Sequence, residues 1–479
     1  MKALTVLRFL GAEALRDHSF VWAAIILVAA TLLAAGNGIA GLEHRRQAIA
    51  DAGAMADARL AETRAAGERI LNGEKPKPPY WNDPTDARGF GYYLLITHSV
   101  KPPTPLSALT TGSSDVLPDV FRLSPDLTTG LAASYDIESP DRLALGRLDA
   151  GFVVIFLLPL LIAAVGHTAL AVERDGGRLP LLAIHGITPL GIAGARLGLR
   201  LAVMISLMAA AILVPLATAG IPLNADVFAW LAVALAYGAV WAGVTLLVVS
   251  LAPSAATAAG TLGALWVGLV VILPWCISLG ASLLYPAPSR VEQVLSGRAA
   301  TDEASAMSAE ALGRYLQDHP ELTLDPDSVD AQNFLTRQLA ATRLIEDRQA
   351  ASDAIFDRQM EARQNVMDRL SWLSPPILAQ SALVDLSGTG LERHRDFLAQ
   401  TRAYVTQLRG YFEPRAMAGD KVFRDWDGWP RFVWREPPPG QGITAAATRA
   451  AGLTALAVVL CAFSAWRLTR RRNDMGRSS

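Results

Sequence analysis

Few residues of this chain are of a type and spacing that could carry chemistry. His167 lies in an apolar run over residues 151–172, shortly before Glu173. An ionisable group inside such a run is a functional candidate by default, so His167 is a candidate for lining a path through a membrane. The competing interpretation is a hydrogen-bonded packing role. It is favoured because the charged end of the run follows within about two helical turns.

Motifs of the common catalytic centres are absent from the sequence. There is no Gly-Xaa4-Gly-Lys-Ser/Thr phosphate loop, no His-Glu-Xaa-Xaa-His pair and no Gly-Xaa-Ser-Xaa-Gly elbow. Cys276 and Cys461 both lie in apolar runs, which disfavours a disulfide framework, a zinc site or a thiol active site. His394 stands in a charged stretch and is predicted to lie on a solvated helix face. We therefore predict no catalytic site, no metal and no bound cofactor, and expect that the chain alone is not an enzyme.

A compact charged segment follows the apolar run that contains His167. Glu173 and Arg174 end the run, and Arg196 and Arg200 open the next one. Residues 176–189 lie between them and hold an apolar patch flanked by helix breakers: Leu179, Leu181, Leu182 and Ile184. This pattern predicts a small helix lying flat at the membrane surface, where another molecule could push on it.

Composition places the chain among integral membrane proteins. Its 479 residues are 52% hydrophobic and 18% charged, with a mean hydropathy of +0.29. The apolar residues cluster into runs of about 20, the length that spans a bilayer core. The formal net charge of −1 gives no case for a nucleic-acid partner, and the lipid bilayer is the expected surrounding.

The predicted fold is a mainly α-helical membrane protein with six membrane helices and two polar insertions of helical, irregular and β structure that pack into one domain. Pro159, Pro215 and Pro274 lie within or near the ends of these helices, so neighbouring helices must satisfy the carbonyls that the prolines leave free. The predicted segments are an interfacial helix at 1–18, membrane helices at 19–40, 148–172, 197–217, 228–252, 257–285 and 445–466, a charged loop at 173–196, a connector at 218–227, polar regions at 41–147 and 286–443, and a basic tail at 467–479.

The polar regions carry their own secondary-structure signals. Residues 43–71 are strong helix formers without proline and are predicted to extend the first membrane helix to a stop at Asn72-Gly73. Short strands are expected within residues 90–141. Amphipathic helices are predicted at 328–370 and 391–412. Three tryptophans that precede the last apolar run, Trp426, Trp429 and Trp434, are expected to include rings at the membrane interface.

Basic residues in short flanks predict the orientation of the chain. Lysine and arginine concentrate in the N-terminal flank, in the loop at 173–200 and in the tail, whereas the connector at 218–227 has none. The positive-inside rule then places both termini and the charged loop in the cytoplasm, and both polar regions outside a bacterial inner membrane. A cleaved signal peptide is the competing interpretation of the N terminus, but the apolar run at 20–39 is too long for one.

The charged loop resembles a known family. Glu173-Arg174-Asp175-Gly176-Gly177-Arg178-Leu179-Pro180-Leu181-Leu182, followed by Gly186-Ile187-Thr188-Pro189, is similar to the first cytoplasmic loop of ABC type-2 transporter permeases. It departs from the family at Gly177-Arg178, where Gly-Thr is common. Four further segments resemble the branch with large outside domains after the first and fifth helices: residues 106–118, 148–159, 285–290 and 385–397.

The resemblance implies a protein complex with more than one subunit. A permease without a phosphate loop needs a separate ABC ATPase subunit to bind ATP, and residues 178–188 would be the coupling helix that docks on it. In this view Glu173, Arg174 and Arg178 steer or anchor the docking, while Leu179, Leu181, Leu182 and Ile184 fill a groove on the ATPase. An ordinary helical hairpin loop is the alternative interpretation.

Three functions follow as hypotheses. The first is a permease subunit, paired with a second copy or a sister permease, whose substrate route is lined mainly by the second and fifth helices; its candidate path residues are His167, Pro159 and Pro274. The second is a mechanotransmitter that drives its outside domains without transmembrane flux. The third is a sensor or scaffold with a ligand-binding ectodomain, which is least favoured because the sequence has no recognisable cytoplasmic output domain.

Overall fold

The structure is a computed structural model that describes residues 2–125, 148–170, 173–174, 177, 188–286, 317, 334–417, 422–436 and 441–475. Its longer elements, in chain order, are α1 (Lys2–Arg16), α2 (His18–Leu71), β1 (Thr97–Val100), β2 (Val120–Leu123), α3 (Ala150–Gly166), α4 (Pro189–Thr218), α5 (Ala225–Leu251), α6 (Ala255–Leu284), α7 (Phe334–Ser371), α8 (Pro375–Ser387), α9 (Leu391–Met417) and α10 (Gln441–Met475).

Among the described residues, five helices are long and apolar enough to cross a membrane: α2, α4, α5, α6 and α10. This agrees with the prediction of a mainly α-helical membrane protein. The sixth predicted span, 148–172, corresponds to α3, which is shorter than a candidate span. At 1.5 Å per residue α3 is about 25 Å long, against about 30 Å for a bilayer core. The chain leaves the helix in turns from His167 to Leu170.

Helix α2 runs without interruption for 54 residues. It begins at Asp17, whose Oδ1 accepts the backbone N–H groups of Ser19 and Phe20, and it ends at Asn72, before Gly73 with a φ of 76°. The predicted extension of the first membrane helix and its stop are therefore confirmed. A helix of this length measures about 80 Å. Since a bilayer core takes about 30 Å of it, most of the remainder forms a stalk over residues 43–71.

Helix α5 forms the centre of the bundle. Its side chains Trp230, Tyr237 and Trp241 are among the largest fully buried groups in the described part of the chain. It packs against α3, α4, α8 and α10. Glycine lets two neighbours approach closely, because a Cβ at Gly243 would meet Leu460 of α10 and one at Gly166 would meet the Thr245 methyl group. By contrast α6 lies at the edge, with 17% of its most apolar window buried.

The two polar regions share one hydrophobic core, which we call the polar domain. Strands β1 and β2 pair antiparallel, with Thr97 opposite Leu123. The core combines aromatic side chains from both regions, and stacked rings such as Phe121 and Phe397 lie 5.4 Å apart. The aromatic core residues are Phe90, Phe121, Phe397, Tyr404, Phe412, Phe423, Trp426 and Trp429.

One sequence-based expectation about this domain is wrong, and another applies to fewer residues. Of the three tryptophans considered for the membrane interface, Trp426 and Trp429 lie in the core, where their Nε1 atoms donate to the Pro84 and Trp426 carbonyls, each at 2.9 Å. His394 does not lie on a solvated face: it is 2% exposed and packs beside Phe121. Its charged neighbours in sequence misled the prediction, because on a helix adjacent residues point in different directions. The predicted helices at 328–370 and 391–412 correspond to α7 and α9.

Helix α8 was not anticipated from the sequence. It belongs to the second polar region, yet its apolar residues join the same buried cluster as Trp230 of α5 and Leu453 of α10: Leu378, Ala379, Ala382, Leu383 and Leu386. Its Asp385 forms an ion pair with Arg449 of α10. Helix α8 thus fixes the polar domain to the ends of two helices of the bundle.

Candidate functional site

Two clusters of polar side chains lie at opposite ends of the bundle. The basic junction gathers charged residues where α1, α3 and α4 meet: Glu13, Asp17, Glu173, Arg174, Arg196 and Arg200. The domain junction gathers hydroxyl, carboxylate, indole and backbone groups where the polar domain meets α2, α3 and α5: Thr104, Thr110, Thr111, Ser113, Asp149, Trp230 and Thr389. Each cluster joins segments that are far apart in sequence.

Arg196 is the centre of the basic junction. Its guanidinium lies 2.6 Å from a Glu173 carboxylate oxygen and 2.8 Å from one of Glu13. It also donates to the Ala169 carbonyl at 3.1 Å. Glu173 is only 6% exposed, so its charge depends on this partner. The three groups tie α1 and the turn after α3 to the first turns of α4.

Arg200 makes a second connection one helical turn further along α4, on the same face as Arg196. It is 7% exposed and lies 2.6 Å from Asp17, the residue that caps α2. It also donates to the Val165 carbonyl at the end of α3 and lies over the Phe20 ring at 5.8 Å. The start of α2 and the end of α3 therefore share one buried cation.

Arg174 fixes the charged loop to α5. Its guanidinium donates to the carbonyls of Ala252 and, at 3.3 Å, Val249, at the C-terminal end of that helix. A cation is favourable there because the last carbonyls of a helix lack partners and carry partial negative charge. The loop thus leaves the bundle from a residue that is bound to α5.

The predicted coupling residues fall into two groups. Glu173 and Arg174 lie within the basic junction, in contacts with Arg196 and α5, and so anchor the start of the loop. The apolar patch and its flanking arginine lie outside the described residues, so their role in docking stays a prediction: Arg178, Leu179, Leu181, Leu182 and Ile184. The sequence did not identify Glu13 as the partner of Arg196 or Asp17 as the partner of Arg200. The available signal was that two arginines at the start of an apolar helix need acidic partners.

The predicted path residues are not brought together in one site. His167 is half-buried at the end of α3, and its Nδ1 lies 2.8 Å from the Ala164 carbonyl oxygen. This is the local hydrogen bond expected of a packing role. Pro159 is buried in α3, and Pro274 lies in α6. Both prolines follow a widened, π-helical stretch, Val153–Leu157 in α3 and Val267–Ile272 in α6.

The carbonyls near Pro159 are satisfied by neighbouring helices, as predicted. The Ile155 carbonyl, four residues before the proline, accepts the Tyr237 hydroxyl of α5 at 3.2 Å. The next carbonyl, that of Phe156, accepts Trp266 Nε1 of α6 at 3.1 Å. Because proline has no N–H to donate, such external donors replace the missing helical hydrogen bond.

At the domain junction, Asp149 connects α3 to the polar domain. One carboxylate oxygen accepts the Phe152 N–H at 2.7 Å and caps α3, and the other accepts the Thr111 N–H at 2.8 Å. Beside it, Trp230 Nε1 of α5 donates to the Thr110 hydroxyl at 2.9 Å. Close approach of α2 requires glycine, because a Cβ at Gly38 would overlap the Ala108 carbonyl oxygen.

The second polar region enters the same junction through the turn after α8. The Thr389 carbonyl accepts both the N–H and the hydroxyl of Ser113, at 3.1 and 2.6 Å, and the Thr104 hydroxyl donates to the Ser387 carbonyl. Gly388 makes the turn with a φ of 61°. The structure thus brings together residues from three segments that are far apart in the sequence, 106–118, 148–159 and 385–397.

A buried cation lies beside this junction in the polar domain. Lys101 is 3% exposed and lies 3.2 Å from Asp119, which also pairs with Arg45 of α2 at 3.7 Å. Burial lowers the pKa of Lys101, and the nearby Asp119 carboxylate opposes that effect. Arg45 further donates to the Ser107 hydroxyl at 2.9 Å. The cluster therefore holds the base of the stalk to the loop that forms the domain junction.

The fold and its junctions define a class: a mainly α-helical membrane protein in which two polar regions share one core attached to the bundle by α8. Within it, residues 290–435 are similar to a family described as a domain of unknown function, DUF3526. That match includes α7, α8 and α9 and covers less than a third of the chain. No curated protein and no solved structure matches the chain.

Proposed function

We propose that the chain is the membrane-spanning permease subunit of an ATP-driven ABC transporter, coupling hydrolysis by a separate ATPase to substrate movement across a bacterial inner membrane. The observation that supports this most is the basic junction. It anchors both ends of the charged loop, Glu173 and Arg174 at its start and Arg196 and Arg200 beyond its end.

A loop anchored in this way is suited to pass on a force. If an ATPase displaced residues 178–187, the load would reach α3 and α4 through the backbone. It would reach α1 through the pair of Arg196 with Glu13, and α5 through Arg174. Discrete, charge-paired contacts of this kind transmit a shift to the helices that they join, since packed elements do not deform continuously. An unanchored hairpin loop would dissipate the same push.

The proposal is tested by Leu182→Asp in the full chain, co-expressed with a candidate partner ATPase that has a phosphate loop. Docking would then remove a charged carboxylate from water and bury it in the ATPase groove, which costs free energy. Co-purification and stimulated ATP hydrolysis should therefore be lost. The matched control is Leu223→Asp, because Leu223 is an exposed leucine, 41% accessible, in the connector at the other end of the bundle. If Leu182→Asp retains complex and stimulated hydrolysis as the control does, the coupling assignment is wrong.

The proposed permease works as a dimer with a second copy or a sister permease, and the substrate route lies between the two, lined by α3 and α6. The light burial of α6 supports this arrangement: its outward side chains include Trp275, 64% exposed, and Leu283, 74% exposed. Pro159 and Pro274 then bend the two helices that line the route.

A mechanotransmitter is the second candidate, favoured by the continuity of α2 with the polar domain. On the stalk, Gly67 packs against the Trp426 ring, and Arg64 lies 2.9 Å from Asp427. Motion at Asp17 would thus reach the polar domain through one helix. Flux of a candidate solute into proteoliposomes with the ATPase present would favour the permease. ATP-driven movement of the polar domain without flux, with the physiological cargo present, would favour the mechanotransmitter.

A further inference from the structure

Helix α1 separates its charged residues between two faces. Glu13 points into the basic junction, 2.8 Å from the guanidinium of Arg196, and Asp17, directly after the helix, is paired within the same junction. Arg8 and Arg16 are exposed, and neither forms an ion pair within the described part of the chain. The acids are therefore neutralised inside the protein, while the outward face of α1 keeps two positive charges.

Large apolar side chains share this outward face with the arginines. Phe9 is 67% exposed and Leu15 is 76% exposed. Arg8 and Leu15 are seven positions apart, as are Phe9 and Arg16, so each pair lies on one side of the helix. The opposite side is packed against the bundle, where Leu10 is buried. The outward face of α1 thus combines cations with exposed apolar groups.

The outward face lies at the end of the bundle where two helices that could cross a membrane begin. Helix α2 follows α1 directly, and α1 also packs against the first turns of α4; both are long and apolar enough to be spans. Trp22, one turn into α2, is 63% exposed, and exposed tryptophan is typical of the membrane interface. The outward face is therefore level with the lipid headgroups at this end of the bundle.

The combination of side chains indicates which molecule covers this face. A helix that lies in the interface buries its apolar side chains at the boundary between headgroups and acyl chains, and its basic side chains are attracted to anionic lipids. An acidic protein surface would pair with the arginines but would leave Phe9 and Leu15 without an apolar partner. A bilayer of neutral lipids would take up the apolar side chains but would offer the arginines no net negative charge.

We propose that the outward face of α1 binds anionic phospholipid, with Arg8 and Arg16 at the phosphate groups and Phe9 and Leu15 at the boundary of the acyl chains. On its inward face the same helix is held to the basic junction through Glu13. Lipid therefore supports one side of α1 and the basic junction the other. This binding needs no ATPase and no transported substrate, so it is independent of the permease assignment.

The test measures which lipids surround α1. A bimane fluorophore is attached at Ala12→Cys, an exposed position four residues from each arginine, in a Cys276→Ser, Cys461→Ser background. The full chain is placed in phosphatidylcholine nanodiscs in which a small fraction of lipid is nitroxide-labelled phosphatidylglycerol or nitroxide-labelled phosphatidylcholine. Phosphatidylglycerol should quench more strongly. Arg8→Gln with Arg16→Gln should lower the ratio of the two local association constants about fivefold for each arginine removed.

The matched control removes two exposed arginines of the stalk, by Arg46→Gln with Arg69→Gln, and should keep the parent ratio. Equal ratios in the control and in the Arg8→Gln, Arg16→Gln variant overturn the proposal. Added salt should reduce the excess of phosphatidylglycerol, because exposed charges are screened; an excess insensitive to salt contradicts recognition by arginine. If the Arg8→Gln, Arg16→Gln variant keeps the lipid ratio but no longer co-purifies with an ATPase, the face belongs to that protein and the lipid assignment is wrong.

The apolar half of the face is tested separately with Phe9→Gln and Leu15→Gln together. Quenching by both labelled lipids should fall in parallel, because α1 then lies further from the acyl chains, whereas the ratio between the two lipids should change little. Unchanged quenching by both lipids would show that these side chains do not enter the bilayer, and the placement of α1 at the membrane surface would be wrong.

Discussion

Arg196→Gln offers the sharpest measurement of the basic junction. The substitution leaves Glu173, 6% exposed, without its cation. Breaking one side of a buried pair costs about 3–5 kcal/mol. The Arg196 side chain is 12% exposed and its other partner Glu13 is 33% exposed, so the low end of that range applies, about 3 kcal/mol. Glu173→Gln should cost less, because Arg196 keeps Glu13.

Together with the two single variants, the double variant Glu173→Gln, Arg196→Gln measures the coupling energy between the two residues. If the two residues share one buried pair, the double variant should be more stable than the sum of the single effects by about 1–3 kcal/mol. The assay is denaturant unfolding of the purified chain in detergent micelles, followed through a full double-mutant cycle. The matched control cycle is Glu43 with Arg46, an exposed pair with side chains 58% and 43% accessible, whose coupling should stay below about 0.5 kcal/mol. Equal couplings in the two cycles would refute the idea that burial makes the basic junction a firm connection.

Two further perturbations probe the other end of the molecule. Gly38→Ala places a methyl group on the Ala108 carbonyl and should speed amide hydrogen exchange across residues 104–114, whereas Gly36→Ala, with no atom near its Cβ, should not; equal exchange would contradict the close approach. Glu436→Gln should lower the midpoint of thermal unfolding slightly at pH 7, because partial burial of Glu436 is outweighed by its hydrogen bond from Arg393, which leaves the carboxyl pKa below its usual range. A carboxyl group whose pKa is lowered in the folded state stabilises the protein above its ordinary pKa, and this contribution is lost as pH falls through the folded-state pKa. The difference in unfolding midpoint between the parent and Glu436→Gln should therefore vanish in acid. A difference that persists in acid would argue against the pair.

The elements that the sequence predicted well are those set by local rules. Helix α2 could be extended to residue 71 because residues 43–71 contain helix formers and no proline, and because Asn72-Gly73 is a recognisable stop. The consequence of Pro159 was also predictable in kind, since a missing N–H must free a carbonyl. Which donors would replace it, Tyr237 and Trp266, depends on how helices pack and has no signal in the spacing.

The elements that the sequence did not predict depend on contacts between distant segments. Helix α8 is a 13-residue apolar stretch inside a polar region, and at that length periodicity does not separate a buried helix from a membrane-surface one. Glu173 was expected, from the resemblance, to steer or anchor docking, and its position in the sequence indicated no partner within the chain. Its partner is Arg196, which also binds Glu13, a residue 183 positions away from Arg196 in the sequence. Charge in a loop marks a boundary, but only the fold shows whether the charge faces water or another side chain.

One helix takes part in both junctions, and this bears on how the two candidate functions differ. At one end, Asp17 caps α2 and pairs with Arg200; further along, Gly38 lies against the Ala108 carbonyl and Arg45 pairs with Asp119. A shift of the basic junction would therefore move the polar domain through α2. In the proposed mechanotransmitter this motion is the output, whereas the proposed permease needs in addition a route for its substrate between α3 and α6.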